Sequence, residues 1–335
     1  MKIITINNQS AQPKYKQIVL SIEMAIAEKR LKREDKLPSV NKVSLEFSIS
    51  RDTVLLAYEE LKKRGIIYAV LGKGYYVKSV EFTLEQRIFL LFDELNTFKE
   101  DLYNSFLSHV NKNFQIDIFF HHFNLEMFKK LVDESRGNYS KFIIMPSNLE
   151  IPGDVIASLP VNDTYVLDQT NNLFKVFPAV YQDFVTDMYD ALTLGLEKIK
   201  QYSELILIFP GEKEPVGMVD GFVKFCAEND CVHRVVSSFE SDTIRNGSLF
   251  IIPNDRHLVN VIEQAKLQNL VLGLDYGIIS YNDTPLKKVV ENGITTISTD
   301  FKAMGRILAN MINTNSKSSV KNNATLILRN SLWSD

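Results

Sequence analysis

The side chains best placed to do chemistry in this 335-residue chain are Asn and Asp residues that follow short apolar runs. Asn96 and Phe98 come after residues 88–92, His122 and Phe123 after 115–120, and Asn148 after 142–145. Asp168 follows 164–167, Asn254 and Asp255 follow 249–252, and Asn282 and Asp283 follow 277–281. An Asn or Asp side chain can satisfy two neighbouring hydroxyls, and a flat ring such as Phe98 or Phe184 can cover the C–H face of a sugar. The chemistry implied is recognition of a polyhydroxylated molecule, although each polar residue can equally serve as a turn or cap residue.

Signals for catalysis are weak. No Gly-x-Ser-x-Gly, His-Glu-x-x-His or dinucleotide glycine fingerprint occurs. Cys226, Cys231 and His233 have no second pair at structural-zinc spacing, and the neighbours His121 and His122 point to opposite sides of a strand, so no metal is expected. Gly72-Lys73-Gly74 and the loop 211–217 lack the Lys-Ser/Thr step of a phosphate loop, and no cofactor is expected. Two cysteines are too few for a disulfide framework, which fits a reducing compartment.

The elements that must position these residues alternate. Between the apolar runs, to which 205–209 also belongs, lie helical patterns over 101–110, 125–134, 184–199, 219–228 and 258–266. Such alternation predicts an α/β body of parallel sheets flanked by helices. Ligands of such sheets sit outside the carboxyl ends of the strands, which is why the polar residues there matter. About 250 residues with a break near 180 fit two lobes facing one another across a cleft.

The first quarter of the chain differs. Residues 1–80 carry 15 Lys and Arg against 8 Asp and Glu, a net of +7, which leaves −10 on residues 81–335. A basic head on an acidic body suggests binding of a polyanion by the head. Tyr15, Ile18, Ile22, Ala25 and Ile26 form one stripe of a first helix that opens after Pro13 and ends near Arg30. Ser39 can cap a second helix and Ser50 a third, which Gly65 ends. Residues 66–70 and 75–77 then read as a two-stranded wing with its tip at Gly72 and Lys73.

Pro13-x-Tyr15-x-Gln17-Ile18, Leu37-Pro38-Ser39-Val40, Ser50-Arg51-Asp52-Thr53-Val54 and Gly72-Lys73-Gly74-Tyr75 resemble, in order, the winged helix-turn-helix of the gluconate-repressor (GntR) family of bacterial transcription regulators. The resemblance implies that Ser50, Arg51 and Thr53 contact DNA from the third helix, with Gly72 and Lys73 contacting it from the wing. Ser39 and Lys42 join this set, because the chain has Asn41 and Lys42 where the family usually carries an arginine. A helix N-terminus offers free N–H groups to phosphate, and Arg51 can fork onto a guanine.

Phe250 to Arg256, Gly277 to Pro285, Gly293 to Ile297 and Met304-Gly305-Arg306 are similar to the effector domain of the lac-repressor family, itself similar to periplasmic sugar-binding proteins. This resemblance implies that Asp168, Asn254 and Asn282 meet the effector. Asn282 replaces the usual aspartate, and Gly217 stands where an arginine is common. The combination looks like the arabinose-repressor arrangement and like fucose-responsive regulators of gut bacteria.

The resulting expectation is a winged-helix domain over 1–79 and a two-lobed effector domain over 80–335. The effector set is Asn96, Phe98, His122, Asn148, Asp168, Phe184, Asn254, Asn282 and Asp283. The expected function is that of a repressor of a roughly palindromic operator, acting as a homodimer and controlled by a monosaccharide or its phosphate, of the arabinose or fucose class. No apolar run reaches the 18 or so residues of a membrane span, and the opening residues lack a signal-peptide core, so a soluble cytoplasmic protein is expected. Two rivals are a pyridoxal-phosphate enzyme domain, for which the body is short, and a sugar-binding protein that acts through protein contacts.

Overall fold

The computed structural model describes residues 3–8, 12–81, 86–211, 213–239 and 244–332. The head has helices α1 (Lys14–Ala27), α2 (Val40–Phe47) and α3 (Arg51–Lys63), followed by antiparallel strands β1 (Ile67–Val70) and β2 (Gly74–Val77). Its core joins Ile18, Ile22 and Ile26 of α1 to Val54, Ala57, Tyr58 and Leu61 of α3. The Tyr58 hydroxyl donates to the Pro38 carbonyl at 2.7 Å, fixing α3 against the lead into α2. Helix α1 stops at Ala27, short of the predicted Arg30, where Lys29 turns to φ 59° and Leu31 N–H bonds back to the Ala25 carbonyl.

The body consists of two six-stranded sheets. The first lobe has the order β13-β7-β6-β5-β3-β4, all parallel, from β3 (Gln86–Phe92), β4 (Phe114–Phe120), β5 (Lys141–Ile144), β6 (Thr164–Asp168), β7 (Ala179–Tyr181) and β13 (Ser319–Lys321). The second has the order β14-β12-β11-β10-β8-β9, from β8 (Glu204–Ile208), β9 (His233–Val236), β10 (Ser248–Ile252), β11 (Tyr276–Tyr281), β12 (Thr295–Thr299) and the antiparallel edge β14 (Ala324–Ile327). Alternate residues of each central strand feed apolar clusters on opposite faces: Leu90 and Phe92 on one, Phe89 and Leu91 on the other. Both faces are covered, so the strands read as continuous apolar runs.

The strands absent from the sequence pattern are β7, β9, β12, β13 and β14: all but β12 have only three or four residues, and β12 has Ile297 as its single apolar residue. The helix expected over 184–199 is divided at Gly195 into α7 (Phe184–Leu194) and α8 (Leu196–Ile199). Helix α4 (Thr97–His109) starts before the expected 101, because Asn96 accepts from Lys99 N–H at 3.1 Å and caps it.

Among the described residues the chain passes between lobes three times, at 182–183, 300 and 322–323. Helix α12 (Phe301–Thr314) therefore returns to the first lobe and lies on α4, while α7 lies on α9 (Gly217–Glu228) in the second. Both helix pairs meet at a glycine. A Cβ at Gly305 would lie 2.4 Å from the Leu102 carbonyl oxygen, and one at Gly221 would lie 2.3 Å from that of Val185.

Candidate functional sites in the head and the cleft

On the head, Ser50 ends an extended segment and its Oγ accepts from Thr53 N–H at 3.1 Å, with the two hydroxyls 2.8 Å apart. Ser39 does the same for α2, accepting from Lys42 N–H at 3.2 Å. Capping leaves other N–H groups of the first turn of α3 free, beside the exposed side chain of Arg51. At the wing tip Lys73 N–H closes onto the Val70 carbonyl at 3.0 Å, and Gly72 holds φ +73° with open space around it. Lys42 and Lys73 are exposed, so the predicted head residues lie on two projecting features, the α2–α3 turn and the wing.

In the body, the strand order of each sheet reverses beside its first strand, β3 in one lobe and β8 in the other, and the space outside the carboxyl ends is a topological switch point. There a cavity of about 340 Å³ lies between the lobes. Of the predicted residues, Asn96, Phe98, Asp168, Phe184, Asn254 and Asn282 line it. Phe98 packs on Phe301 with ring centroids 4.8 Å apart, and Phe184 lies 6.4 Å from Tyr281. Asp168 and Asn282 stand at strand ends with φ 74° and 61°, backbone strain of the kind that gathers at binding sites.

The structure places His122, Asn148 and Asp283 elsewhere. His122 follows the edge strand β4, is exposed, and lies over Phe120 at 6.0 Å. Asp283 turns toward the neighbouring strands and forms a fork with Arg329, at 2.7 and 3.0 Å, while accepting from Thr296 at 3.2 Å. Burial works against its ionisation, but the hydrogen bonds and charge of Arg329 hold the carboxyl below its ordinary value. Asn148 is a bridge between lobes, its Nδ2 donating to the carbonyls of Lys213 and Glu214 at 3.0 and 2.9 Å.

Several wall residues carry no signal in the sequence pattern. Lys99 pairs with Asp93, both nearly buried, and Ser147 donates to the other Asp93 oxygen at 2.6 Å. Lys287 is 4% exposed at its side chain and spends its ammonium on the carbonyls of Tyr281 and Asn282 and on Asp255, at 2.7, 3.0 and 2.8 Å. Burial lowers its affinity for a proton despite Asp255. Gln182 bonds Asp168 at 2.5 Å and accepts from Thr299 at 2.5 Å. Burial raises the Asp168 carboxyl above its ordinary value against the opposing pull of Lys99. At the mouth, Lys213 of the second lobe lies 2.6 Å from Glu94 of the first and 4.7 Å from the ring of Phe123. Asn254 caps helix α10 (Asp255–Leu267), accepting from Arg256 N–H at 3.0 Å, and donates to Glu214 at 3.3 Å.

Among the described residues no group of three His, Cys, Asp or Glu is arranged for a metal, and no helix is long and apolar enough to cross a membrane.

Residues 14–77 match the family model "Bacterial regulatory proteins, gntR family". The arabinose metabolism transcriptional repressor of Geobacillus stearothermophilus is 35% identical over 65 residues, 19% of this chain and 18% of that protein. Across the first relatives matched, the alignment spans only 14% to 58% of their own length. The body is similar to a LacI family transcriptional regulator from Silicibacter pomeroyi, with a TM-score of 0.62 at 13% identity over 74% of this chain and 100% of the other. It is also similar to a periplasmic binding protein/LacI transcriptional regulator from Alkaliphilus metalliredigens complexed with D-xylulofuranose, at a TM-score of 0.57 and 15% identity over 74% and 100% of the two chains. The chain thus joins a winged-helix head of GntR type to a body with the two-lobed fold of LacI regulators and periplasmic binding proteins.

Proposed function

We propose that this protein is a ligand-controlled transcription regulator, most simply a repressor. The head grips operator DNA and the cleft takes a small sugar or sugar derivative, with the boundary between head and body at residues 79–80. The reading rests chiefly on one observation: a cavity at the carboxyl ends of two parallel sheets, walled by Asn, Asp and aromatic side chains, shares a chain with a GntR-type head. In the head, Ser50, Arg51 and Thr53 are assigned to the major groove, Gly72 and Lys73 to the wing contact, and Ser39 and Lys42 to the backbone beside them. In the cleft, Asn96, Asp168, Asn254 and Asn282 are assigned to hydroxyls, Phe98 and Phe184 to the C–H faces.

Two heads on a roughly palindromic site make a homodimer the working form, in the cytoplasm where the operator lies. A ligand that binds the closed cleft better than the open one shifts the lobes and with them the spacing of the heads, by no more than its differential affinity. No step of bond making is assigned to the body.

The test is a thermal-shift screen of monosaccharides and their phosphates, followed by operator binding with and without each hit. A ligand at 100 times its Kd stabilises the native state by about 2.7 kcal/mol. Binding that is lost in Asn254→Ala and Asp168→Ala supports the cleft; binding retained in both moves the site elsewhere.

A further inference from the structure

The walls of the cleft are almost fully compensated in charge. Lys99 is held by Asp93, Lys213 by Glu94, and Lys287 by Asp255 together with two carbonyls that use up its donors. Arg256 alone among the lining cations has no such carboxylate among the described residues, and it stands exposed at the rim. A phosphate or carboxylate deep in the cleft would find no unengaged cation there among the described residues and would face the carboxylates of Asp93 and Asp168.

Against that background two buried polar atoms of the cavity wall lack a partner among the described residues, Asn282 Oδ1 and the Tyr281 hydroxyl, and only the second is a donor. Tyr281 lines the cavity and is 3% exposed, yet its hydroxyl has no hydrogen-bond partner among the described residues. Phenol hydroxyls buried in folded proteins are nearly always paired, because an unpaired one has given up its hydrogen bonds to water without a replacement. The hydroxyl feels the field of Asp168 in the opposite lobe and of Asp187 on α7. Burial and these two carboxylates keep it protonated, hence a donor.

We propose that Tyr281 is a specificity-determining residue of the cleft, its hydroxyl pairing with a hydroxyl of an uncharged ligand that also reaches Asp168 across the gap. The inference rests on the cleft being the effector site and adds what the site reads. A ligand hydroxyl can accept from Tyr281 and donate to Asp168 at once, which ties the lobes together through one group. A site built around a buried hydrogen bond discriminates strongly against an analogue lacking the matching hydroxyl, because the protein group is then left unpaired.

The experiment uses the full chain and the variants Tyr281→Phe, Asn254→Ala and Arg256→Ala. The probes are free arabinose, fucose, xylose and ribose, and the terminal phosphate esters of arabinose and ribose. Melting without added sugar and sugar affinity are both read. Tyr281→Phe is expected to melt at or above the wild type, since it removes an unpaired group and keeps the ring. It is also expected to bind the free sugar that the wild type prefers about tenfold more weakly or worse. Arg256→Ala should bind that sugar as the wild type does, and the phosphate esters should give no shift.

A Tyr281→Phe protein that melts lower than the wild type, or that keeps full sugar affinity, overturns the inference. So does a shift by phosphate esters that disappears in Arg256→Ala. If Asn254→Ala loses binding while Tyr281→Phe keeps it, the cleft stands and only the role of Tyr281 falls. If no probe of either kind shifts the wild type, the effector reading falls with it.

Discussion

Nε2 of Gln182 lies 2.5 Å from Oδ1 of Asp168, so the floor of the cleft is bonded directly to the first segment that passes between the lobes. The other end of the same amide takes the Thr299 hydroxyl from beside the second passage. A change in the charge or occupancy of Asp168 is therefore felt by two connecting segments at once.

The raised Asp168 carboxyl makes stability depend on pH in a definite sense. The native state holds this proton more tightly than the unfolded chain, whose carboxyl has the ordinary value near 3.8, so the contribution of Asp168 is most favourable below that value. It declines as pH rises through the window between the ordinary and the raised value. Asp168→Asn should remove the decline, leaving a variant at least as stable as the wild type at neutral pH. Urea midpoints across a pH series measure this, and a variant that loses stability at neutral pH contradicts it.

Arg51 and Lys73 should fail in different ways. Arg51→Ala is expected to weaken operator binding by about 1–3 kcal/mol and to relax preference at one base. Lys73→Ala should weaken binding to all sequences alike and reduce the salt slope by about 1. Fluorescence anisotropy on operator and scrambled duplexes over a salt series separates the two. Equal losses on both duplexes for Arg51→Ala would remove its base-reading role.

Gly305→Ala and Gly221→Ala test the two helix crossings. Alanine in a helix is ordinarily worth about 1 kcal/mol over glycine. Here the added methyl would meet backbone oxygens at 2.4 and 2.3 Å, so each substitution should instead destabilise its own lobe by about 1–3 kcal/mol. Chemical denaturation provides the measurement, and a stabilised variant would show that the helices have room to part.

The cysteines should be slow to react. Cys226 is fully buried, and its burial, with Cys231 beside it, pushes the thiol up to about 12, while burial also raises Cys231. Little thiolate exists at neutral pH, so a disulfide-exchange reagent should label the native protein slowly and both thiols rapidly after denaturation. Fast labelling of Cys226 without denaturant would place it outside the core.

What could be read in the sequence was mostly local. Ser39 and Ser50 announce their helices because a cap acts within three residues, and the apolar runs at 142–144 and 249–252 announce central strands because both their faces are covered. Asp168, Asn254 and Asn282 were legible as residues that follow such runs. Gln182 was not, because its meaning lies in Thr299, 117 residues away. Lys99 and Lys287 read as ordinary helix charges, and only the fold turns them inward against Asp93 and Asp255. His122 misled for the complementary reason: its position after a strand is correct, but the strand is an edge one.

Helix α12 has a consequence for synthesis. The Ser105 hydroxyl on α4 donates to the carbonyl of Lys302, 197 residues later, and Phe98 waits for Phe301. As the polypeptide emerges from the ribosome, the apolar side of α4 must remain uncovered until nearly all of the second lobe has been translated. Neither lobe is an autonomous stretch of message, and a chain halted before residue 301 would offer chaperones and proteases a half-finished sheet layer.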